Sequence, residues 1–195
     1  YDGRNWRSFG LAEGLPALSV SSICATRDGA VWIALLGAGV VRWDHGAMTR
    51  FQARDGLPKA AIISLFEDRS GDLWIGSFGG GVARLHEGRF QVFTTKDGLP
   101  HNSVMSVSQD EQGVFWLGTR GGLARYGDGR FTVYRKTEGL FHDAVERAVD
   151  DGHGYLWLTT NHGVFRVSLA ELNDVAAHPA RGIHPVEFAT ANGMR

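Results

Sequence analysis

The residues best equipped for chemistry sit where an otherwise repetitive chain departs from its pattern. Lys59, His101 and His142 each come shortly after a Gly-Leu turn phrase. Phe78, Arg120, Asn161 and His162 occupy a second set of turns. Donors, an aromatic face and imidazoles on neighbouring loops suit a polar ligand, anionic or sugar-like, and these seven are the candidate binding residues. Three of them, His101, His142 and His162, would have to converge to hold a metal. They are expected in different repeats and lack the ligand spacing of a zinc site, so no metal is expected. No cofactor is expected either.

Other polar residues recur, and recurrence argues for structure. Arg42, Arg84, Arg125 and Arg166 could form a basic ring for an anion. A guanidinium also carries five donors in a fixed fork, so a repeated bond to a carboxylate or turn carbonyl is preferred. Asp68, Asp110 and Asp151 are the expected partners, with Thr26 interrupting the series. Glu13, Asp55, Asp97 and Glu138 would make an acid–base pair only if they converged. A repeat spreads them round a ring, so they are expected to accept turn amides instead. The single cysteine, Cys24, excludes an internal disulfide framework and a cysteine-based metal site, and is expected to be a small core residue.

The elements that position these residues follow from two markers in one register. Trp32, Trp74, Trp116 and Trp157 stand 42, 42 and 41 residues apart. The phrases Glu13-Gly14-Leu15-Pro16, Asp55-Gly56-Leu57-Pro58, Asp97-Gly98-Leu99-Pro100 and Glu138-Gly139-Leu140-Phe141 keep the same beat. Each period divides into four short β-prone segments. In the second they are Ile62 to Phe66, Asp72 to Ser77 around its Trp, Val82 to Leu85, and Arg89 to Phe93. Turn signals separate them, as in an antiparallel meander. A period of roughly 40–45 residues per four-stranded unit is that of a propeller blade. The fold class is therefore all-β, a β-propeller of about four complete four-stranded blades from a larger ring, rings of 4–8 blades being usual.

The expected blades span approximately 17–53, 59–94, 101–135 and 142–189, with 1–9 ending a preceding blade and 190–195 beginning the next. Four first strands stand against five fourth strands, near Phe9, Phe51, Phe93, Tyr134 and Phe188, so the chain reads as an excerpt from a longer ring with open edges. The first strand of the last blade is expected over Val145 to Val149. About a dozen extra residues in that blade suggest a short helix over 168–177. Ser168 and Glu171 have capping-box spacing, and Leu172, Val175 and Ala176 form an apolar stripe. The four tryptophans are expected between blades, where truncation would cost about 3–5 kcal/mol.

Composition excludes several classes. The net charge is −1 with both signs interspersed, which gives no footprint for nucleic acid. No apolar run approaches the length that crosses a bilayer, and no secretory leader is visible, so no membrane contact by this region is expected.

Phe93-Thr94-Thr95-Lys96-Asp97-Gly98-Leu99-Pro100 and Phe115-Trp116-Leu117-Gly118-Thr119-Arg120-Gly121-Gly122-Leu123-Ala124-Arg125 resemble the two-component regulator propeller repeat. Val167-Ser168-Leu169-Ala170-Glu171-Leu172 resembles an insertion common in that family, and the likeness covers essentially the whole chain. It implies a seven-bladed ring, the periplasmic sensor propeller of a membrane receptor with a histidine kinase or diguanylate cyclase output. The expected function is non-catalytic binding of a small polar signal, such as an oligosaccharide, or of a partner domain. The remaining blades, downstream domains of the same chain and a second copy are the other expected partners. The rival readings are a protein-interaction scaffold and, less favoured, a propeller lyase. The lyase needs a His and carboxylate converging on one face, and the sequence does not show such a pair.

Overall fold

Each period folds as one four-stranded antiparallel meander in a computed structural model that describes residues 8–188. The first sheet holds β1 (Val20–Ala25), β2 (Val31–Leu35), β3 (Gly39–Asp44) and β4 (Ala47–Phe51). The second holds β5 (Ala61–Glu67), β6 (Leu73–Phe78), β7 (Val82–His86) and β8 (Arg89–Phe93). The third holds β9 (Val104–Gln109), β10 (Phe115–Thr119), β11 (Gly122–Gly127) and β12 (Arg130–Tyr134). The fourth holds β13 (Arg147–Asp150), β14 (Tyr155–Thr160), β15 (Gly163–Ser168) and β16 (Val186–Phe188), with α1 (Leu169–Ala177) between its last two strands. The first strands of successive sheets are neighbours, which makes the sheets blades around a common axis.

Two local devices join the blades. After each of the first three fourth strands, a single turn of 3-10 helix is held by a carboxylate. Asp55, Asp97 and Glu138 each accept the amide of the residue three before, at 2.8 Å. The following Gly56, Gly98 and Gly139 have φ of 109°, 105° and 111°, a region open to glycine and strained for side chains. Leu57, Leu99 and Leu140 are then driven into the seams, at 5%, 4% and 3% exposure. The second device is a clasp across the opposite turns. The Arg27 guanidinium donates to the Arg69 carbonyl at 2.9 Å, and that of Arg69 to the Glu111 carbonyl at 2.6 Å. Glu111 and Gly152 occupy the position in the third and fourth blades and cannot repeat it.

The core lies in the seams. Trp74 of blade 2 is fully buried with Val82 and Phe93, against Val104, Val107, Leu117 and Ala124 of blade 3. Trp116 is buried in the same way against blade 4, and Trp32 against blade 2. Trp157, on the outward face of blade 4, is half-buried and stacks on Phe188 with ring centroids 4.9 Å apart.

Three of the four indoles are also anchored by a hydrogen bond. The Nε1–H of Trp74, Trp116 and Trp157 donates to Asp68, Asp110 and Asp151, at 2.9, 2.9 and 3.0 Å. The other oxygen of each carboxylate accepts two amides of the turn that follows. These aspartates were the expected partners of the recurring arginines, and the structure gives them to the tryptophans instead. The physical reason is reach. The strand carrying Asp68 pairs directly with the strand carrying Trp74, and the carboxylate caps the turn between them.

Three further expectations are adjusted. The first strand of blade 4 begins at Arg147, since the Val145 amide is donated to the Thr119 carbonyl of the preceding blade, at 2.9 Å. The helix is present and Leu172 and Val175 are buried, but Ser168 makes no side-chain cap and Glu171 pairs with His184 instead. Cys24 is half-buried, packed against the Trp32 cluster from its edge, and burial pushes its thiol above the ordinary range. The stretch 1–9, expected to end a preceding blade, lies mostly outside the described residues, and 190–195, expected to begin the next, wholly outside them. Phe9 is described, with its ring edge-on to Trp43 at 5.6 Å.

Candidate functional site

The connections from each fourth strand to the next first strand, and those between second and third strands, emerge on one face of the blades. Backbone bonds knit the two sets together. Gly79 and Gly81 donate to the Asn102 carbonyl, Arg120 to that of Ser103, and Phe78 bridges to Ser103. All seven predicted binding residues lie on this face, but they form separate groups.

The Phe78 ring, 44% exposed at the end of β6, carries the Arg120 guanidinium over its face at 4.5 Å. This contact crosses from blade 2 to blade 3 and fixes a planar cation at the surface, where it can still meet a ligand. His101 stands beside the same turn, and its Nδ1 accepts the Ser103 amide at 2.8 Å, leaving Nε2 to carry the proton outward. Lys59 is separate, on the wall of a 280 Å3 recess with Gly37, Gly39, Gln52 and Leu57 at the seam of blades 1 and 2.

His142 and His162 both fall within the bounds expected for the fourth blade. Both flank blade 4, and their rings stack 4.2 Å apart with 16° between planes. The stack brings together two histidines, fewer than the ligand set of a zinc site. Asn161 lies exposed in the same turn. Among the described residues, no group of three or more His, Cys, Asp or Glu is placed to hold a metal.

The four arginines do not form a ring with a common task. Arg42 bonds Asp28 at 2.8 Å and Asp44 at 2.7 Å, and Arg84 bonds Asp72. Arg125 donates to the Asn173 side chain on α1 at 2.9 Å. Arg166 lies over Tyr155 at 4.3 Å, and its buried Nε has no acceptor among the described residues. Asp28 shows the electrostatic result. Its bonds from Thr26 and Arg42 lower its pKa to about 2. Burial pushes Asp72 upward, but His86 and Arg84 together hold it below the usual carboxylate range.

The Asp–Trp anchors were missed by the sequence reading. Their signal was available as a constant spacing of six residues in three of the four repeats. The glycines that follow the tryptophans have an equally specific task. A Cβ at Gly76 would stand 2.7 Å from the Val104 carbonyl and one at Gly118 2.8 Å from the Val145 carbonyl, both on the next blade, so only glycine permits that approach.

Residues 56–79 and 98–121 match the family described as two component regulator propeller. No curated protein is a significant sequence match. The fold is similar to virginiamycin B lyase from Staphylococcus aureus, with a TM-score of 0.68 and 16% identity over 92% of this chain and 59% of that one. It is also similar to the extracellular domains of two putative hybrid two component systems from B. thetaiotaomicron. One aligns with a TM-score of 0.66 at 17% identity, over 91% of this chain and 26% of that one. The other aligns with a TM-score of 0.53 at 19% identity, over 93% of this chain and 30% of that one. At such identities the likeness is one of fold, and the chain spans about three fifths of the lyase. The chain thus holds four blades of a β-propeller, two of which contain stretches similar to the two component regulator propeller family.

Proposed function

We propose that this region is a non-catalytic recognition module, the signal-binding propeller of a bacterial receptor whose output is a histidine kinase or a diguanylate cyclase. The observation that carries the reading is a division of labour. The repeated Trp, Asp, Gly and Leu residues are engaged in the seams and turns, whereas the residues that vary gather on one loop face, all but the half-buried His142 exposed. The family match and the shared fold with extracellular domains of two component systems support a location outside the cytoplasm. The described residues include no helix long and apolar enough to cross a membrane. The ligand is a small polar molecule, with Arg120 on Phe78, His101 and Lys59 supplying donors. The outward faces of blades 1 and 4 take further blades of the ring.

A thermal-shift screen of neutral and acidic oligosaccharides tests this. A ligand that raises the melting temperature of the wild type and loses its effect in Arg120→Ala or Lys59→Ala supports the loop face. A ligand unaffected by either change places recognition elsewhere.

A second reading has one specific observation in its favour. The His142–His162 stack puts two imidazoles together on a fold shared with a lyase. Turnover of virginiamycin B that disappears in both His142→Ala and His162→Ala would replace the sensor reading.

A further inference from the structure

We infer that the seam between blades 1 and 2 carries a distinct recognition site for a neutral, hydroxyl-rich ligand, on the face opposite the variable loops. The argument begins with a missing carboxylate. In blades 2, 3 and 4 the Trp indole N–H is met by an aspartate oxygen at 2.9–3.0 Å. In blade 1 that aspartate is Thr26, and the carboxylate has moved two residues along the turn to Asp28. Asp28 keeps half of the original task. Its Oδ1 accepts the Ala30 amide at 3.1 Å and the Thr26 hydroxyl at 2.6 Å, while Oδ2 is held by Arg42. The other half is undone. Trp32 is 5% exposed, and its Nε1–H has no acceptor among the described residues.

That donor faces open space. Trp32 and Thr26 line a cavity of 490 Å3, together with Arg27, Asp28, Glu67 and Asp72. The volume falls within the roughly 300–1,000 Å3 typical of small-molecule sites. An occupant must present an acceptor where the other blades place a carboxylate oxygen. An anion is disfavoured, because Asp28, Glu67, Asp72 and Glu87 outnumber Arg27 on the wall. A hydroxyl meets both demands. Its oxygen accepts from the indole, and its proton goes to a carboxylate, which retains free lone pairs after pairing with arginine. Leu73 and Leu85 on the same wall offer apolar contact to the C–H face of a ring. The occupant that fits is a cyclic polyol of monosaccharide size.

The site does not rest on the loop-face reading, and the test separates them. The indole N–H resonance of Trp32, assigned by its loss in Trp32→Phe, is followed in the 15N-labelled chain during titration with glucose, galactose and xylose. Glucuronate is the charged control. A neutral sugar should move that resonance saturably and leave those of Trp74 and Trp116 in place. Thr26→Asp supplies the missing carboxylate, so it should abolish the response and raise the melting temperature. Thr26→Asn offers an uncharged acceptor and should abolish the response as well. Lys59→Ala and Arg120→Ala should leave it intact. The inference is overturned if no neutral sugar moves the resonance, if the Thr26 variants respond as the wild type does, or if the loop-face variants remove the response. Tighter binding of glucuronate than of glucose overturns the assignment to a neutral ligand.

Discussion

The seam between blades 2 and 3 and the seam between blades 3 and 4 pose one packing problem and solve it with different materials. In the first, Trp74 is surrounded by rings. Phe115 lies 4.4 Å away, Tyr126 5.8 Å and Phe93 6.0 Å, and Phe131 closes the cluster against Tyr126 at 4.6 Å. In the second, Leu156 and Val167 replace Phe115 and Tyr126, and Trp116 retains one ring neighbour among the described residues, Tyr134 at 6.2 Å. The space those rings would fill is taken by α1, which inserts Leu172 and Val175, and by Ile183. Tyr134 then donates its hydroxyl to the Leu172 carbonyl at 2.6 Å, tying the helix to the neighbouring blade. The insertion is a structural part of the seam, supplying volume that the strands of blade 4 lack.

Four measurements would break or sharpen this comparison. Trp74→Ala should have the largest effect, destabilising by about 3–5 kcal/mol in urea unfolding, since it empties the centre of the aromatic seam. Leu172→Ala should cost about 3 kcal/mol, as for a buried leucine anywhere in a core. A cost near zero would make the helix an ornament and end the comparison.

Tyr134→Phe should cost about 1 kcal/mol, because it removes a buried hydrogen bond between the helix and the neighbouring blade. The same residue predicts a pH effect. Burial raises the Tyr134 phenol well above its ordinary value. Its contribution is therefore complete below the unfolded pKa of about 10 and is lost as pH climbs beyond it. Alkaline unfolding should begin at higher pH in Tyr134→Phe, relative to its own stability at neutral pH.

The smallest effect belongs to the first seam. Asp28, with its pKa lowered to about 2, contributes stability above roughly pH 4 that is lost as pH falls toward 2. Asp28→Asn should flatten that limb of the acid profile slightly, since the group is exposed and screened.

Much of this fold was legible in the sequence because its period is enforced by chemistry that tolerates few substitutes. A glycine at φ above 100° and an indole at the centre of a seam leave the same mark each time. The arginine contacts were not legible. Arg42, Arg84, Arg125 and Arg166 share a register, yet each finds whatever its own turn offers, from two carboxylates to an amide on the helix. The destination of α1 was hidden for a related reason. Leu172 and Val175 announce an apolar stripe, but the vacancy they fill is set by Leu156 and Val167 on other strands. At the loop face, the sequence named the residues without grouping them. Their pairing, Phe78 with Arg120 and His142 with His162, depends on which turns meet across the ring.

The way the tryptophans point has a consequence for growth. Every seam joins unlike surfaces: a blade offers its indole forward and receives one from behind. The outward face of blade 4 ends in Trp157 against Phe188, while that of blade 1 bears an apolar recess of 140 Å3 lined by Phe9, Val31, Ile33, Trp43 and Met48. Contacts of this heterologous kind do not pair a surface with itself, and they propagate in one direction until they close on themselves or run on. Blade stacking here therefore has a polarity, like the threading of a screw, and any added blade must arrive in the right sense.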